Sequence, residues 1–539
     1  MREMESLLVQ EKAMMKNSRL AAYLLFFMVI AVVIFVRLRL LGVPLERDEG
    51  EYAYIGQLIL HGVAPYGGAY TMKLPGTSLM YAFIMALFGQ TINGIHIGFL
   101  IVNVITALLV FLLSRKIVGD EASAATAGGT YALLSLSPGM FGFAAHAAHF
   151  VAFFAVCETL ALLYALKGEK LLLYLSAGFI SGLAFIMKQP GFSFVLFGAL
   201  CLIFRHVFQK PEIRLKKALR DLAFFSIGSA IPLLVVIVWA YFTGTFGAFW
   251  LWTVKYALKY VSKIPLSAAP YMLYSNFLSL SHGYRLLWML SLLGLFLLVF
   301  QKLRVNRFYV VSFVFFSFLA VCPGFYFRPQ YFVVLLPAAS VLAGICVYSI
   351  NSKVNTFSRS GFLRFAGFGI FTVAALASIF LNREYLFKIG PIALSEEVYN
   401  INPFPESEEV AKFIESRSVN ADRIAVLGSE PEIYFYSKRR SATEDIYMYP
   451  LMGDQRYALP MQKEMVGKIE RAKPKFIVFV SVHASWSEGP IPGGYVFGWA
   501  QNYIGRNYAL VGALDIHRTT ACTWAPRHHS ILVFERKAI

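Results

Sequence analysis

Two adjacent carboxylates, Asp48 and Glu49, stand in the stretch 44–77 with Glu51 close behind, and a basic residue, Lys73, sits beside the Pro75-Gly76 turn. This stretch directly follows the first strongly apolar run. A carboxylate beside hydrocarbon is costly unless it is solvated, paired or bound to a metal. Such a group can also take a proton from a hydroxyl while that hydroxyl attacks a carbon centre. A nearby cation can hold the negative charge that grows on a leaving group. Asp48 lies just past the end of the apolar run, where water and bilayer meet. The plain alternative is an interfacial helix whose acids are simply solvated.

Composition says what must position these groups. The chain has 539 residues, 58% of them hydrophobic and 15% charged. Soluble proteins are about 45–50% apolar and about 25% charged, so the sequence predicts a polytopic α-helical membrane protein. The formal net charge of +18 does not point to nucleic acid, because the Lys and Arg residues lie in short loops between apolar runs, where they set topology. Residues 1–19 are polar, and the next run is long enough to span, which predicts an uncleaved anchor. The five cysteines (157, 201, 322, 346 and 522) fit neither a zinc motif nor a disulfide framework; a Cys322–Cys522 bridge is the one pairing that topology would allow.

Eleven runs are candidates to cross a bilayer: 20–43, 95–113, 121–138, 147–166, 171–187, 191–205, 221–243, 284–301, 307–322, 330–350 and 363–382. The apolar segment 77–90 reads as an interfacial helix. With the N-terminus in the cytoplasm, twenty Lys and Arg residues fall inside, against seven outside, or ten with Arg37, Arg39 and Arg285 at helix ends. The acidic loop, 44–94, then faces outward, and so does everything after residue 382. That last part, 383–539, changes character to an α/β pattern. Expected helices cover 407–419, 454–471 and 495–504, and expected strands 423–427, 476–480, 508–517 and 531–535, forming a partly parallel sheet. The domain division expected is therefore 1–382 in the membrane and 383–539 outside. The Gly493-Gly494 pair lacks a phosphate-loop pattern, and no nucleotide fingerprint is present.

An acidic pair in the first outer loop of a many-span chain resembles the C-type glycosyltransferase superfamily, in the branch that holds protein O-mannosyltransferases and lipid A aminoarabinose transferases. Arg47-Asp48-Glu49-Gly50-Glu51-Tyr52 is similar to that family's modified Asp-X-Asp signature. Lys73-Leu74-Pro75-Gly76 is similar to its Lys-Pro motif, and Phe327-Arg328-Pro329-Gln330-Tyr331 to its late aromatic/basic/Tyr motif. Two departures stand out: Gln330 replaces a frequent His, and the second acidic site on the next outer loop is absent.

The resemblance implies a polyprenyl-phosphate sugar as donor, a lipid, glycan or protein acceptor outside the cytoplasm, and an inverting single displacement. Asp48 is then the base and Glu49 its support. Lys73, Lys188 and Arg328 are the cations for the donor phosphate, with Arg47, Glu51, Tyr52, Tyr331, His61 and His282 as further candidates. A divalent metal on Asp48 and Glu49 stays open. His146 and His149 share a helix face and read as interfacial, without a third ligand nearby. Glu158 sits deep in its span and should be paired or face a cavity. The aromatic loop 244–283, with Trp250, Trp252, Tyr256, Tyr260 and Tyr271, reads as an interfacial belt or a sugar groove. The expected location is the cell membrane, multi-pass. Competing readings are a lipid-linked oligosaccharide polymerase or ligase, and a flippase or transporter; no internal repeat favours transport.

Overall fold

The computed structural model describes residues 2–209, 215–301, 303, 305–357, 365–453, 457–486, 494–516 and 530–538. Cys522, Gly493, Asp454 and His517, named above, lie outside the described residues. By packing, the chain divides into two compact units. One is Met1–Arg39, Gly98–Val235 and Lys259–Lys388; the other is Leu40–Ile97, Val236–Leu258 and Ile389–Ile539. The boundary expected at 382/383 divides the chain by environment, and the packing units cut across it. The first loop belongs with the C-terminal segment.

The first unit is helical. Helix α1 (Arg2–Arg39) opens the chain, and a helix occupies each of the other ten apolar runs. Among the described residues, six helices are long and apolar enough to cross a bilayer. Leu171–Met187, Arg285–Phe300, Arg307–Leu319 and Ala366–Leu381 are apolar but shorter. Glu121–Leu134 has 14 residues, about 21 Å at 1.5 Å per residue. Continuous apolar runs give no facial pattern, so burial separates them. The span Pro329–Val354 is 83% buried and central, whereas Leu215–Phe242 is only 22% buried. The helix Leu336–Phe357 packs on Arg285–Phe300, Glu121–Leu134 and Ala366–Leu381. Backbones come close there: a Cβ on Gly294 would lie 1.9 Å from the Leu342 carbonyl oxygen, the small-residue packing expected where lipid supplies no hydrophobic driving force.

Glu158 is fully buried, and among the described residues neither of its carboxylate oxygens has a hydrogen-bond partner, so the expected pairing is absent. His146 and His149 are likewise buried rather than interfacial, with His149 edge-on to Phe99 at 4.7 Å.

The second unit holds the acidic loop. Helix α2 (Arg47–Leu60) starts where Glu46 accepts the Glu49 backbone N–H, a side-chain N-cap. Helix α3 (Gly76–Phe88) matches the expected interfacial segment and packs on α2. Helix α4 (Ile92–Val118) begins in this unit. The C-terminal segment forms a five-stranded sheet in the order β2-β1-β3-β5-β4. These strands are β1 (Arg423–Leu427), β2 (Arg440–Ser441), β3 (Phe476–Val480), β4 (Tyr508–Asp515) and β5 (Ser530–Arg536). Strand β1 is parallel to β2 and β3, and β5 is antiparallel to β3 and β4. The two-residue β2 carries no alternation to betray it in sequence. Buried runs such as Phe476–Val480 mark the central strands.

Candidate active site

Helix α2 puts Asp48 and Glu51 on one face and Glu49 on another, and the surroundings treat all three differently. The Lys73 ammonium lies 2.7 Å from an Asp48 oxygen and 2.6 Å from a Glu51 oxygen. It also lies 4.4 Å from the Tyr52 ring centroid, a cation–π contact. The Asp48 side chain is 28% exposed while that of Glu51 is 4% exposed, so Asp48 is the carboxylate of this pair that a substrate can reach. Burial works against the Lys73 charge, but Asp48 and Glu51 outweigh it, and the lysine stays protonated well above its ordinary range. Burial lifts the Glu51 carboxyl above its usual value although Lys73 pulls it down. The extended turn before α3 delivers Lys73, with the Tyr66 hydroxyl donating to the Lys73 carbonyl at 2.9 Å.

Glu49 faces inward, 1% exposed. It receives the Tyr81 hydroxyl at 3.4 Å and lies 3.2 Å from His96 Nε2. His96 Nδ1 is 2.7 Å from the Leu41 carbonyl oxygen, which can only accept, so Nδ1 carries a hydrogen. A proton therefore lies between Nε2 and the Glu49 carboxyl, whichever of the two formally holds it. Glu49 supports the loop from beneath.

Arg47 is also turned away from Asp48. Its guanidinium donates to the Ser429 carbonyl at 2.6 Å, Asn402 Oδ1 at 3.0 Å, the Tyr449 hydroxyl at 3.1 Å and Glu430 Oε1 at 3.1 Å. The other Glu430 oxygen accepts from Ser485. Burial opposes the Arg47 charge, but Tyr449 and Glu430 overcome it and raise its pKa. Burial raises Glu430 while Arg47 lowers it, and the ionised pair is favoured because every one of these donors meets an oxygen acceptor, one of them the Glu430 carboxylate. Next to it, burial and Glu430 push Glu432 up to about 8, so it holds its proton at neutral pH.

In the other unit, Lys188 lies 3.9 Å from the Tyr331 ring centroid, and the Tyr331 N–H donates to the Arg328 carbonyl at 2.9 Å. Arg328 donates to the Tyr260 hydroxyl at 3.1 Å and lies 5.3 Å from the Tyr326 ring centroid. Tyr260 and Tyr326 stack at 5.0 Å. Phe325 and Phe327 adopt left-handed backbone angles, φ 54° and 45°. Each such position costs about 1–3 kcal/mol in a bulky residue. The aromatic loop is thus split in use: Tyr260 holds Arg328, Trp252 and Tyr256 are buried, and Tyr271 is exposed.

His61 is exposed at the far end of α2, thirteen residues and about 20 Å along the helix from Asp48, outside this cluster. His282 is exposed in the other unit. For a metal, Asp48 has Glu46 as a companion: one oxygen of each lies within 4.8 Å. Burial, with the Asp48 and Glu49 charges, lifts Glu46 well above the usual carboxylate range. Carboxylate oxygens are the ligands a hard divalent cation takes, so a metal at Asp48 stays open.

Sequence reasoning missed Glu46, Tyr81, His96 and Glu430. Only Glu430 had a visible signal, an acid in a Ser-Glu-Pro turn directly after a buried strand. The rest depend on contacts between elements.

The acidic-loop geometry and the helical scaffold define a class, and comparison with known proteins agrees. The model of the dolichyl-phosphate-mannose-protein mannosyltransferase family matches residues 72–242. The resemblance to the C-type glycosyltransferase superfamily, in its aminoarabinose-transferase-like branch, is borne out, and the chain is a multi-pass membrane protein with that fold. Among particular relatives, the undecaprenyl phosphate-alpha-4-amino-4-deoxy-L-arabinose arabinosyl transferase of Pseudomonas aeruginosa is 30% identical over 150 residues, 26% of this chain and 27% of that protein. Its counterpart from Pseudomonas paraeruginosa is 27% identical over 203 residues, 36% of this chain and 35% of that protein. The chain therefore matches only about a quarter to a third of the length of these curated relatives. In fold, the crystal structure of ArnT from Cupriavidus metallidurans bound to undecaprenyl phosphate superposes with TM-score 0.59 at 14% identity, covering 95% of this chain and 97% of that one. The Archaeoglobus fulgidus oligosaccharyltransferase tethered to an acceptor peptide gives 0.52 at 12% identity, covering 95% and 75%.

Proposed function

We propose that this chain is an integral membrane glycosyltransferase that moves a sugar from a polyprenyl-phosphate donor to a lipid, glycan or protein acceptor on the outer face. The observation that carries the reading is the reachable Asp48 carboxylate held 2.7 Å from Lys73. The acceptor hydroxyl forms a new bond to the anomeric carbon, and the bond from that carbon to the phosphate oxygen breaks. The electron pair leaves with the polyprenyl phosphate, the acceptor proton goes to Asp48, and one displacement inverts the centre. As Asp48 is neutralised, Lys73 loses one of its two counter-charges, just when negative charge appears on the leaving phosphate. Lys188 and Arg328 are further candidates to bind a phosphate, Arg328 through its paired donors.

The test is transfer in membranes holding the chain, given a synthetic polyprenyl-phosphate sugar. We expect donor to be consumed and sugar to appear on an acceptor, read by mass spectrometry. Donor that crosses the bilayer unchanged would instead identify a flippase. The same reading sets orientation, with a cytoplasmic N-terminus and residues 383–539 outside, from the Lys/Arg bias. Val419 is 64% exposed in the C-terminal segment. A Val419→Cys variant is expected to react with an impermeant thiol reagent on spheroplasts, over the background of the unaltered chain. Labelling that requires a broken inner membrane would reverse the topology.

A further inference from the structure

The C-terminal segment contributes more than half of the second unit, yet none of its residues enters the reaction proposed above. Its grip runs along α2 and is densest at the N-terminal end. Arg47, immediately before Asp48, is 8% exposed and reaches four separate partners from that segment. The Phe404 and Tyr449 rings lie 5.6 and 5.4 Å from its guanidinium carbon. One helical turn on, Gly50 meets the helix Glu432–Ser437 with no room to spare. A Cβ there would lie 2.7 Å from the Glu432 backbone nitrogen. The Leu45 N–H donates to the Tyr436 hydroxyl at 2.8 Å, and Ser441 donates its N–H to the Tyr54 hydroxyl at 2.8 Å. The start of α2 is thus fixed by the C-terminal segment in position, rotation and charge.

We propose that Arg47 and Glu430 are positioning residues for the transfer, and that the C-terminal segment acts through them to aim Asp48 and to keep its carboxylate basic. The inference rests on the glycosyltransferase reading. Aiming follows from geometry: Asp48 is the next residue on a helix whose first turn Arg47 anchors, and a small error in placing a reacting group costs rate steeply. Basicity follows from charge. Glu430 neutralises Arg47, and without it a buried cation would stand one residue from Asp48 and favour its ionised, less basic form.

Glu430→Gln keeps size and still accepts from Arg47 while deleting the charge. Turnover in the purified full chain is expected to fall by about tenfold or more, with the donor KM held within about threefold, as for an interaction felt in the transition state. The acid limb of the pH–rate profile should move to lower pH, because uncompensated Arg47 lowers the Asp48 pKa. Asn402→Ala and Tyr449→Phe each remove one milder Arg47 partner and should shift turnover in the same direction by less. Glu415→Gln, which deletes an exposed acid of the same segment paired with Lys438, should change nothing. A folded Glu430→Gln chain with turnover within about twofold and an unmoved acid limb would overturn the proposal, as would a loss seen only in KM. Should Glu430→Gln not fold, normal turnover and limb in both milder variants overturn it. An unaltered chain that consumes no donor removes the function itself. A chain that does, beside an unimpaired Glu430→Gln, removes only the positioning role.

Discussion

Asp48→Asn is expected to lower the transfer rate by about a hundred- to ten-thousandfold, the usual range for loss of a general base. Asn matches Asp in size and still offers Lys73 an oxygen, so the loop should keep its shape. Lys73 also retains Glu51 at 2.6 Å. The Asp48 side chain is 28% exposed, and part-exposed ion pairs contribute about 0–1 kcal/mol, so melting temperature and yield should change little. The comparison is sugar transfer from a polyprenyl-phosphate donor in membranes matched for protein level. Glu49→Gln separates reaction from support. It leaves the base intact but weakens the buried contact with His96, so it should show first in stability and less in rate. Near-normal turnover by Asp48→Asn would remove this residue as base, and Glu51, joined to the same lysine, would be tested next.

The helical framework was legible because bilayer length and continuous apolarity are one-dimensional properties. Each run predicted from 20–43 to 363–382 has a helix in the structure. Strands of the C-terminal segment were legible too where four or five apolar residues run together, as at Arg423–Leu427 and Phe476–Val480. The partnership between that segment and the first loop was not. Arg47 and Glu430 are 383 residues apart in sequence, and no periodicity or charge count links positions so distant. An outward loop of charged residues reads as solvated. Tertiary cover instead buries Arg47, Glu49 and Glu51 and leaves Asp48 the most open of the set. The topology proposed above makes this possible, since a segment following the last span on the outer side can return to the loop following the first.

The same cover explains why the cations behave differently from simple snorkelling residues. A lysine at a helix end ordinarily extends its ammonium to water or headgroups. Lys73 is instead held between two carboxylates and a tyrosine ring, and Arg328 between two tyrosines. Aromatic partners orient a cation without neutralising it. Lys73, by contrast, is released when its neighbour Asp48 is protonated.

Lys73→Met should accordingly impair transfer through two effects at once, and the pH profile separates them. The first is loss of the charge that meets the leaving phosphate, which lowers turnover; removing one such donor costs about a hundred- to a thousandfold. The second acts on the acids left behind. Without the opposite charge, the Asp48 and Glu51 carboxyls rise in pKa. Glu51, buried and already above its usual value with Lys73 present, would hold its proton more tightly still. Since Asp48 must be ionised to accept the acceptor proton, the acid limb of the pH–rate profile should move to higher pH, opposite in sign to the shift expected for Glu430→Gln. Raising the pH should then recover the part of the loss caused by protonated Asp48, while the deficit from the missing phosphate contact persists. Lys73→Arg should recover charge but not the compact two-carboxylate geometry, and so fall between Met and the natural residue. The measurement is turnover against pH for the three chains with one donor at saturation. A Lys73→Met profile that matches the natural one in height and in acid limb would show that Lys73 takes part in neither effect.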